Sequence, residues 1–164
     1  MTRIGLISDT HSYLDDQVFA QFRDCDEIWH AGDFGTIDIA DRLQNFKPLK
    51  GVYGNVDGKD VRQHYPETLR WSCEEIEVCM THVGGYPGKY APAIKSQLIR
   101  DPPKLFICGH SHILKVIFDK TLQCLHINPG AAGRQGWHKT RTVIRFAIDG
   151  KSIKDCEVIE LGNR

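Results

Sequence analysis

Hydrophobic and polar positions follow one rhythm in the first third of this chain and another in the rest. Arg3 to Ser8 (RIGLIS) is a short apolar run that closes at Asp9, the pattern of a strand buried on both faces. Leu14, Val18 and Phe22 then recur at four-residue spacing among Asp15, Asp16, Gln17, Gln21 and Arg23, which predicts a helix with one apolar stripe. Glu27 to Ala31 (EIWHA) predicts a second strand ending at Gly32-Asp33. Ile37, Ala40, Leu43 and Phe46 predict a second helix, stopped by Pro48. A third strand, Leu49 to Tyr53, ends at Gly54-Asn55. This βαβαβ order predicts a mostly parallel sheet, because parallel neighbours need a crossover and a helix is the usual one. Ligands of open α/β sheets bind beyond the carboxyl ends of the strands, and Asp9, Asp33 and Asn55 all arrive there.

Further along, strands dominate. Leu69 to Cys73 and Ile76 to His82 read as an antiparallel pair around Glu74-Glu75. A Gly/Pro-rich loop (GGYPGKYAP) leads into a helix from Ala93 to Arg100, which Pro102-Pro103 ends. Lys104 to Cys108 predicts another buried strand, closing at Gly109-His110-Ser111-His112, and Ile113 to Phe118, Leu122 to Ile127 and Thr142 to Ile148 predict three more. Asp149-Gly150 is a hairpin turn into Ser152 to Glu160, since glycine supplies the positive φ such turns require. Two sheets in one α/β domain are expected, spanning residues 1–164 without a repeat or linker.

Composition narrows the functional classes. Lys plus Arg and Asp plus Glu both number 21, a formal net charge of zero, so no basic excess exists to hold an extended nucleic acid. A hydrophobic fraction of 41% excludes a disordered chain. The six cysteines are scattered without a CxxC pair, which argues for free thiols in a reducing compartment and against structural zinc. The start, MTRIGLISD, has too short an apolar stretch for a signal peptide or a membrane span. A cytoplasmic location is expected.

The polar residues at strand ends carry the chemistry: Asp9, His11, Asp33, Asn55, His82, His110 and His112. Seven oxygen and nitrogen donors suit first-row divalent metals better than Ca²⁺ or Mg²⁺, which favour all-oxygen shells. The donors also outnumber one site. With Asp33 as a bridge, each of two metals receives four donors, as a two-metal hydrolase requires. Ser8, Ser12 and Ser111 have no base of their own that would make a serine nucleophile, and Cys108 should point to the opposite layer of its sheet.

Asp9-x-His11, Gly32-Asp33, Gly54-Asn55-x-Asp57, Thr81-His82 and Gly109-His110-x-His112 together resemble, in order, the five motif blocks of the calcineurin-like metallophosphoesterases. The length and the Gly54-Asn55-Val56-Asp57 block resemble the small prokaryotic phosphodiesterases of that superfamily, which share their fold with a eukaryotic retromer subunit. Asn128-Pro129-Gly130 resembles a later family turn. The resemblance implies a four-layer αββα sandwich with two mixed sheets. It also implies one metal on Asp9, His11, Asp33 and His112 and the other on Asp33, Asn55, His82 and His110, with Asp33, Asn55 and His82 in the catalytic set. A hydroxide bridging the metals would attack a small phosphoester, most readily a diester. Manganese leads the candidate metals, followed by nickel, iron, cobalt and zinc. Asp57 is expected to orient a neighbouring ligand from behind.

One position departs from the family. Many relatives carry a His after the Asn; this chain has Val56, which predicts a preference for activated leaving groups, since general-acid catalysis is worth roughly 10²- to 10⁴-fold. Of the remaining histidines, His30, His64 and His126 are expected to be structural or surface residues. His138, with Arg134 in the loop after Asn128-Pro129-Gly130, is a candidate contact for substrate phosphate. The alternative to catalysis is a protein-interaction scaffold of the same fold with a vestigial metal site; the complete donor set favours the enzyme. Homo-oligomerisation is compatible with either.

Overall fold

The computed structural model describes all residues, Met1–Arg164. Twelve strands and four short helices follow one another as β1 (Thr2–Ile7), α1 (Gln17–Gln21), β2 (Glu27–His30), α2 (Ile37–Phe46), β3 (Leu49–Gly51), α3 (Lys59–Arg62), β4 (Thr68–Cys73), β5 (Ile76–Thr81), β6 (Gly85–Tyr86), β7 (Lys89–Tyr90), α4 (Pro92–Arg100), β8 (Leu105–Ile107), β9 (Lys115–Asp119), β10 (Cys124–Asn128), β11 (Thr140–Asp149) and β12 (Ser152–Asn163). Two five-stranded mixed sheets form, in the orders β12-β11-β1-β2-β3 and β4-β5-β8-β10-β9. The tiny β6-β7 hairpin stands apart.

The alternation of side chains decides the layers. Ile4, Leu6 and Trp29 of the first sheet meet Val78, Met80, Leu105 and Ile107 of the second in a dry core between the sheets. Each fully buried side chain of this kind stabilises the fold by roughly 1.5–3 kcal/mol. The opposite face of the first sheet, through Ile7, Ile28 and Val143, is covered by Val18 of α1, Leu43 of α2 and Val61 of α3. Ile94 and Leu98 of α4 cover Cys79, Phe106, Cys108 and Cys124 on the outer face of the second. The result is the expected four-layer αββα sandwich. No helix is long and apolar enough to cross a membrane.

Several boundaries differ from the sequence pattern. The Leu14/Val18/Phe22 stripe is fully internal, but only five residues of it are helical, because so short a helix is held by burial and not by its own propensity. The strand expected from Ile113 starts at Lys115, leaving Ile113 and Leu114 in the connection. The single-turn α3 and the β6-β7 hairpin carry too little periodicity to be read from the sequence.

Direction matters most for function. β1, β2 and β3 run parallel, as do β5, β8 and β10. The residues just beyond β1, β2, β3, β5 and β8 are Ser8-Asp9, Ala31-Gly32-Asp33, Val52-Tyr53-Gly54-Asn55, His82 and Cys108-Gly109-His110. They gather at one rim of the sandwich.

Candidate metal centre

Two donor groups form at this rim. In one, ligand atoms of Asp9, His11 and His112 lie within 4.8 Å of one another; in the other, those of Asp33, His82 and His110 do. Within the first, His112 Nε2 is 3.1 Å from Asp9 Oδ1 and 3.3 Å from His11 Nε2. In the second, His82 Nε2 is 3.0 Å from Asp33 Oδ2. Asn55 joins through Oδ1, 2.9 Å from His110 Nδ1. Asp33 faces both groups, because the same Oδ2 is 3.6 Å from His11 Nε2. The structure therefore brings all seven strand-end donors together.

The backbone holds them in an unusual way. Asp9, His11, Asp33, His110 and His112 all have positive φ, between 45° and 69°, a region that costs a residue with a side chain roughly 1–2 kcal/mol. Such strain persists where the surroundings over-determine the conformation and clusters at functional sites. Two glycines make room: a Cβ at Gly54 would stand 2.0 Å from Asp33 Oδ1, and one at Gly109 would stand 2.6 Å from Asp9 Oδ2. The carboxylates approach the neighbouring backbone as they do only because no side chain is there.

The hydrogen bonds around the donors test whether the group fits a cation. Asp9 Oδ2 accepts from Ser8 Oγ at 2.6 Å and from the His110 backbone N–H at 3.1 Å, while Oδ1 is buried with no hydrogen-bond partner. His82 Nδ1 donates to the Ala31 carbonyl at 2.7 Å, which turns Nε2 toward the carboxylates; it too is buried and has no hydrogen-bond partner. A neutral imidazole locked in this tautomer by a carbonyl is the usual state of a metal-ligating histidine. Asp33 Oδ1 accepts from the Val56 N–H at 3.0 Å, so that Oδ2 stays free. Carboxylate oxygens and imidazole nitrogens converging at 3.0–3.8 Å are what a divalent cation satisfies, and the donor set fits one.

Charge follows the same geometry. Burial on its own would raise the Asp9 carboxyl, but contacts to His11, His112 and Ser8 and the nearby His82 hold it far below the usual range. Asp33 is also lowered; burial opposes this, and His82 and the Val56 N–H win. Both are carboxylates at neutral pH, as ligation requires.

Behind the donors stand supporting residues, Asp57 named above, and with it His30 and Asn128. Asp57 acts through backbone: its carboxylate accepts from the N–H groups of Phe34, Gly35 and Gly54, tying the turn after Asp33 to the turn before Asn55. His30 is fully buried and accepts from the Gly32 N–H at 3.1 Å through Nδ1. Its Nε2 lies 3.0 Å from Thr10 Oγ1, whose hydroxyl donates to the Phe34 carbonyl. The imidazole thus clamps the loops that carry Asp9 and Asp33, and burial pushes its pKa down to about 3. Asn128 donates to the Gly109 carbonyl and to Ser111 Oγ, fastening the His110–His112 loop. A polar residue in an otherwise apolar strand is the signal that marks His30.

The remaining candidates sit around the centre. His138 packs edge-on against His112, with ring centroids 5.3 Å apart, and its Nε2 donates to the Gly133 carbonyl. Arg134 is exposed, its guanidinium 4.2 Å from the centroid of the Tyr13 ring. Val56 is half exposed beside Asp33. His64 is exposed, and His126 is buried behind the second sheet. Cys108 points into that same outer layer, where burial pushes its thiol up to about 12. A cavity of about 650 Å³ opens from Asn55 and His82 along Tyr53, Arg62, Thr81 and Gln97.

Residues 2–151 match the sequence profile of the calcineurin-like phosphoesterase superfamily domain. A probable metallophosphoesterase from Methanothermobacter thermautotrophicus is 29% identical, covering 97% of this chain and 92% of that protein. Among solved structures, Chaetomium thermophilum Vps29 superposes with a TM-score of 0.77 at 14% identity, covering 98% of this chain and 97% of that one. A novel archaeal phosphodiesterase superposes with a TM-score of 0.72 at 20% identity, covering 97% and 99%.

Proposed function

The chain belongs to the calcineurin-like phosphoesterase superfamily, and we propose that it hydrolyses small phosphodiesters with two divalent cations, manganese first among them. The observation that carries this reading is the pair of partnerless buried atoms, Asp9 Oδ1 and His82 Nε2, one in each donor group. Asp9, His11 and His112 would hold one cation and Asn55, His82 and His110 the other, with Asp33 facing both groups. When bound, such ions acidify a water molecule and draw negative charge from the phosphoryl oxygens.

The chain's own groups do the rest. Asn55 presents Oδ1 to the His110 side, which turns its Nδ2 donors outward to a phosphoryl oxygen whose charge grows in the transition state. The cavity beside Asn55 and His82 seats an ester arm. There Arg62 is held over the Tyr53 ring at 4.4 Å and by the Asp57 carbonyl at 2.7 Å. Arg134 and His138 border the other side and are the candidate contacts for the second arm. The water gives up a proton to solvent, and its oxygen bonds to phosphorus as the phosphorus–oxygen ester bond breaks. The leaving oxygen takes its proton from solvent, since Val56 offers none.

A panel of aryl and alkyl diesters and monoesters, run on metal-replete protein and on Asp33→Asn, tests the reading. The expected result is hydrolysis with aryl diesters ahead of alkyl ones and a steep dependence of rate on leaving-group pKa. A flat profile would sink the role given to Val56. No hydrolysis by protein loaded with any of the candidate metals would return the chain to the scaffold reading.

A further inference from the structure

A sandwich of two open sheets has four edges, and three of them here are protected. β3 has three residues. β4 carries Arg70, which is paired with Glu77 and Asp101. β12 carries Lys154, Asp155, Glu157 and Glu160, and its pairing with β11 is broken by two register shifts. Short length, charge and irregular pairing are the usual means by which proteins prevent edge-to-edge association.

The fourth edge, β9, is longer than β3, keeps an unbroken register with β10, and carries its charges, Lys115 and Asp119, only at its two ends. Only β10 pairs with it. Val116, Ile117 and Phe118 in the strand, and Ile113 and Leu114 before it, are 38–56% exposed. Five large apolar side chains within six residues on an unpaired edge make a template for another strand.

The sequence of β9 states which strand that is. Lys115-Val116-Ile117-Phe118-Asp119 is complementary to itself in the antiparallel sense. With Ile117 opposite Ile117 of a second copy, Lys115 stands across from Asp119, and Val116 across from Phe118. Opposite charges and apolar pairs facing each other stabilise such a ladder by roughly 0.2–1 kcal/mol per pair. A parallel arrangement would set Lys115 on Lys115. Pairing in this register also keeps faces matched, since side chains alternate. In this fold, Lys115 and Asp119 both lie on the α4 side, where Lys115 sits 4.8 Å from the Tyr86 ring centroid and Asp119 accepts from the Tyr90 hydroxyl.

We infer that a second copy of this chain pairs with β9 across a two-fold axis through Ile117, joining two five-stranded sheets into one of ten. Each copy presents the same patch to the other, as a closed two-fold dimer requires. The metal-site rim stays outside this ladder, so the dimer does not depend on the proposed hydrolysis, and failure of either leaves the other standing.

Light scattering on the eluting full-length chain tests this. The mass is expected to be twice 18.6 kDa at high micromolar concentration, and Ile117→Lys, at an exposed position, to halve it while circular dichroism and phosphoester hydrolysis stay unchanged. Crosslinking fixes the register. In a Cys156→Ser background, Ile117→Cys is expected to form a disulfide dimer on mild oxidation, because directly opposed strand residues lie about 4.5–5.5 Å apart, within reach of a disulfide. Val116→Cys, facing Phe118, is expected not to. A monomer at high concentration, a dimer that survives Ile117→Lys, or no crosslink at position 117 would each overturn the inference.

Discussion

Two sets of histidines in this protein are buried and differ in what they face. His82 at the rim and His30 and His126 inside the sheets are almost or wholly inaccessible. Orphaned ring nitrogens do not separate them, because His126 Nδ1 lacks a hydrogen-bond partner just as His82 Nε2 does. The separation lies across the gap. His82 Nε2 looks onto Asp33 Oδ2 at 3.0 Å and Asp9 Oδ1 at 3.8 Å. His126 looks onto the Phe106 ring, 5.5 Å away between centroids, and Cys108 Sγ at 4.0 Å. Burial alone makes a structural imidazole; burial opposite converging carboxylates makes a candidate ligand.

Substitutions should therefore separate the two sets cleanly. Asp33→Asn has the largest expected effect: it weakens both donor groups at once, and kcat should fall by roughly 10³-fold or more, with the fold intact by circular dichroism. A folded variant with near-normal turnover would dissolve the distinction between rim and interior.

The interior set should govern acid stability instead. Burial lowers His30 from its ordinary 6.5 to about 3, and His126 to about 4. For a base lowered on folding, the unfolded chain takes up the proton first as pH falls. Stability is then complete above about 6.5 and drains away as pH drops toward 3. The expected melting temperature declines through this window, and His126→Phe should remove up to about 3 kcal/mol of the decline between pH 6.5 and 4, leaving metal content untouched. Calorimetry against pH, with elemental analysis at neutral pH, checks both halves.

Within the rim, the two donor groups also differ. Asp9 is buried and His11 and His112 are partly covered, while the second group joins buried His82 to Asn55 and His110, which are exposed and make it the more open of the two. Asn55→Ala should lower kcat by roughly 10²-fold, the scale of losing one preorganised donor, and cost one metal from the open group. Single-turnover rates with metal counts at equilibrium would show this, and equal metal loss from His11→Ala and Asn55→Ala with identical kinetics would erase the asymmetry.

The smallest effect sharpens the role of the rim's one family departure. Val56→His leaves the backbone N–H to Asp33 in place and supplies a proton donor at an exposed position. It should raise turnover of alkyl diesters by about tenfold, at the low end of general-acid effects, and leave nitrophenyl esters unchanged. A leaving-group series on both proteins measures it.

Much of this arrangement was legible in the chain. The carboxyl ends of parallel strands converge, so polar residues that terminate apolar runs had to meet, and Asp9, Asp33, Asn55, His82 and His110 do. Two sheets and the Asp149-Gly150 hairpin followed from the order of apolar runs and from turn chemistry, whereas the four-layer stacking came from the family resemblance. Other features were hidden because they depend on contacts distant in sequence. Nothing local announces that Asp57 serves backbone N–H groups beside Asp33, 23 or so residues away, or that five of the candidate donors adopt positive φ. The true start of β9 was missed because Ile113 and Leu114 continue its apolar run without joining its ladder.

Metal stoichiometry coupled to turnover tests the central claim most directly. Chelator-stripped protein titrated with Mn²⁺, with bound metal counted and aryl diester hydrolysis followed in the same samples, should reach two ions per chain, and hydrolysis should rise with the second. Asp33→Asn should bind fewer and stay inactive. Full hydrolysis at one ion per chain or fewer, or an unchanged count of two in Asp33→Asn, would contradict the account.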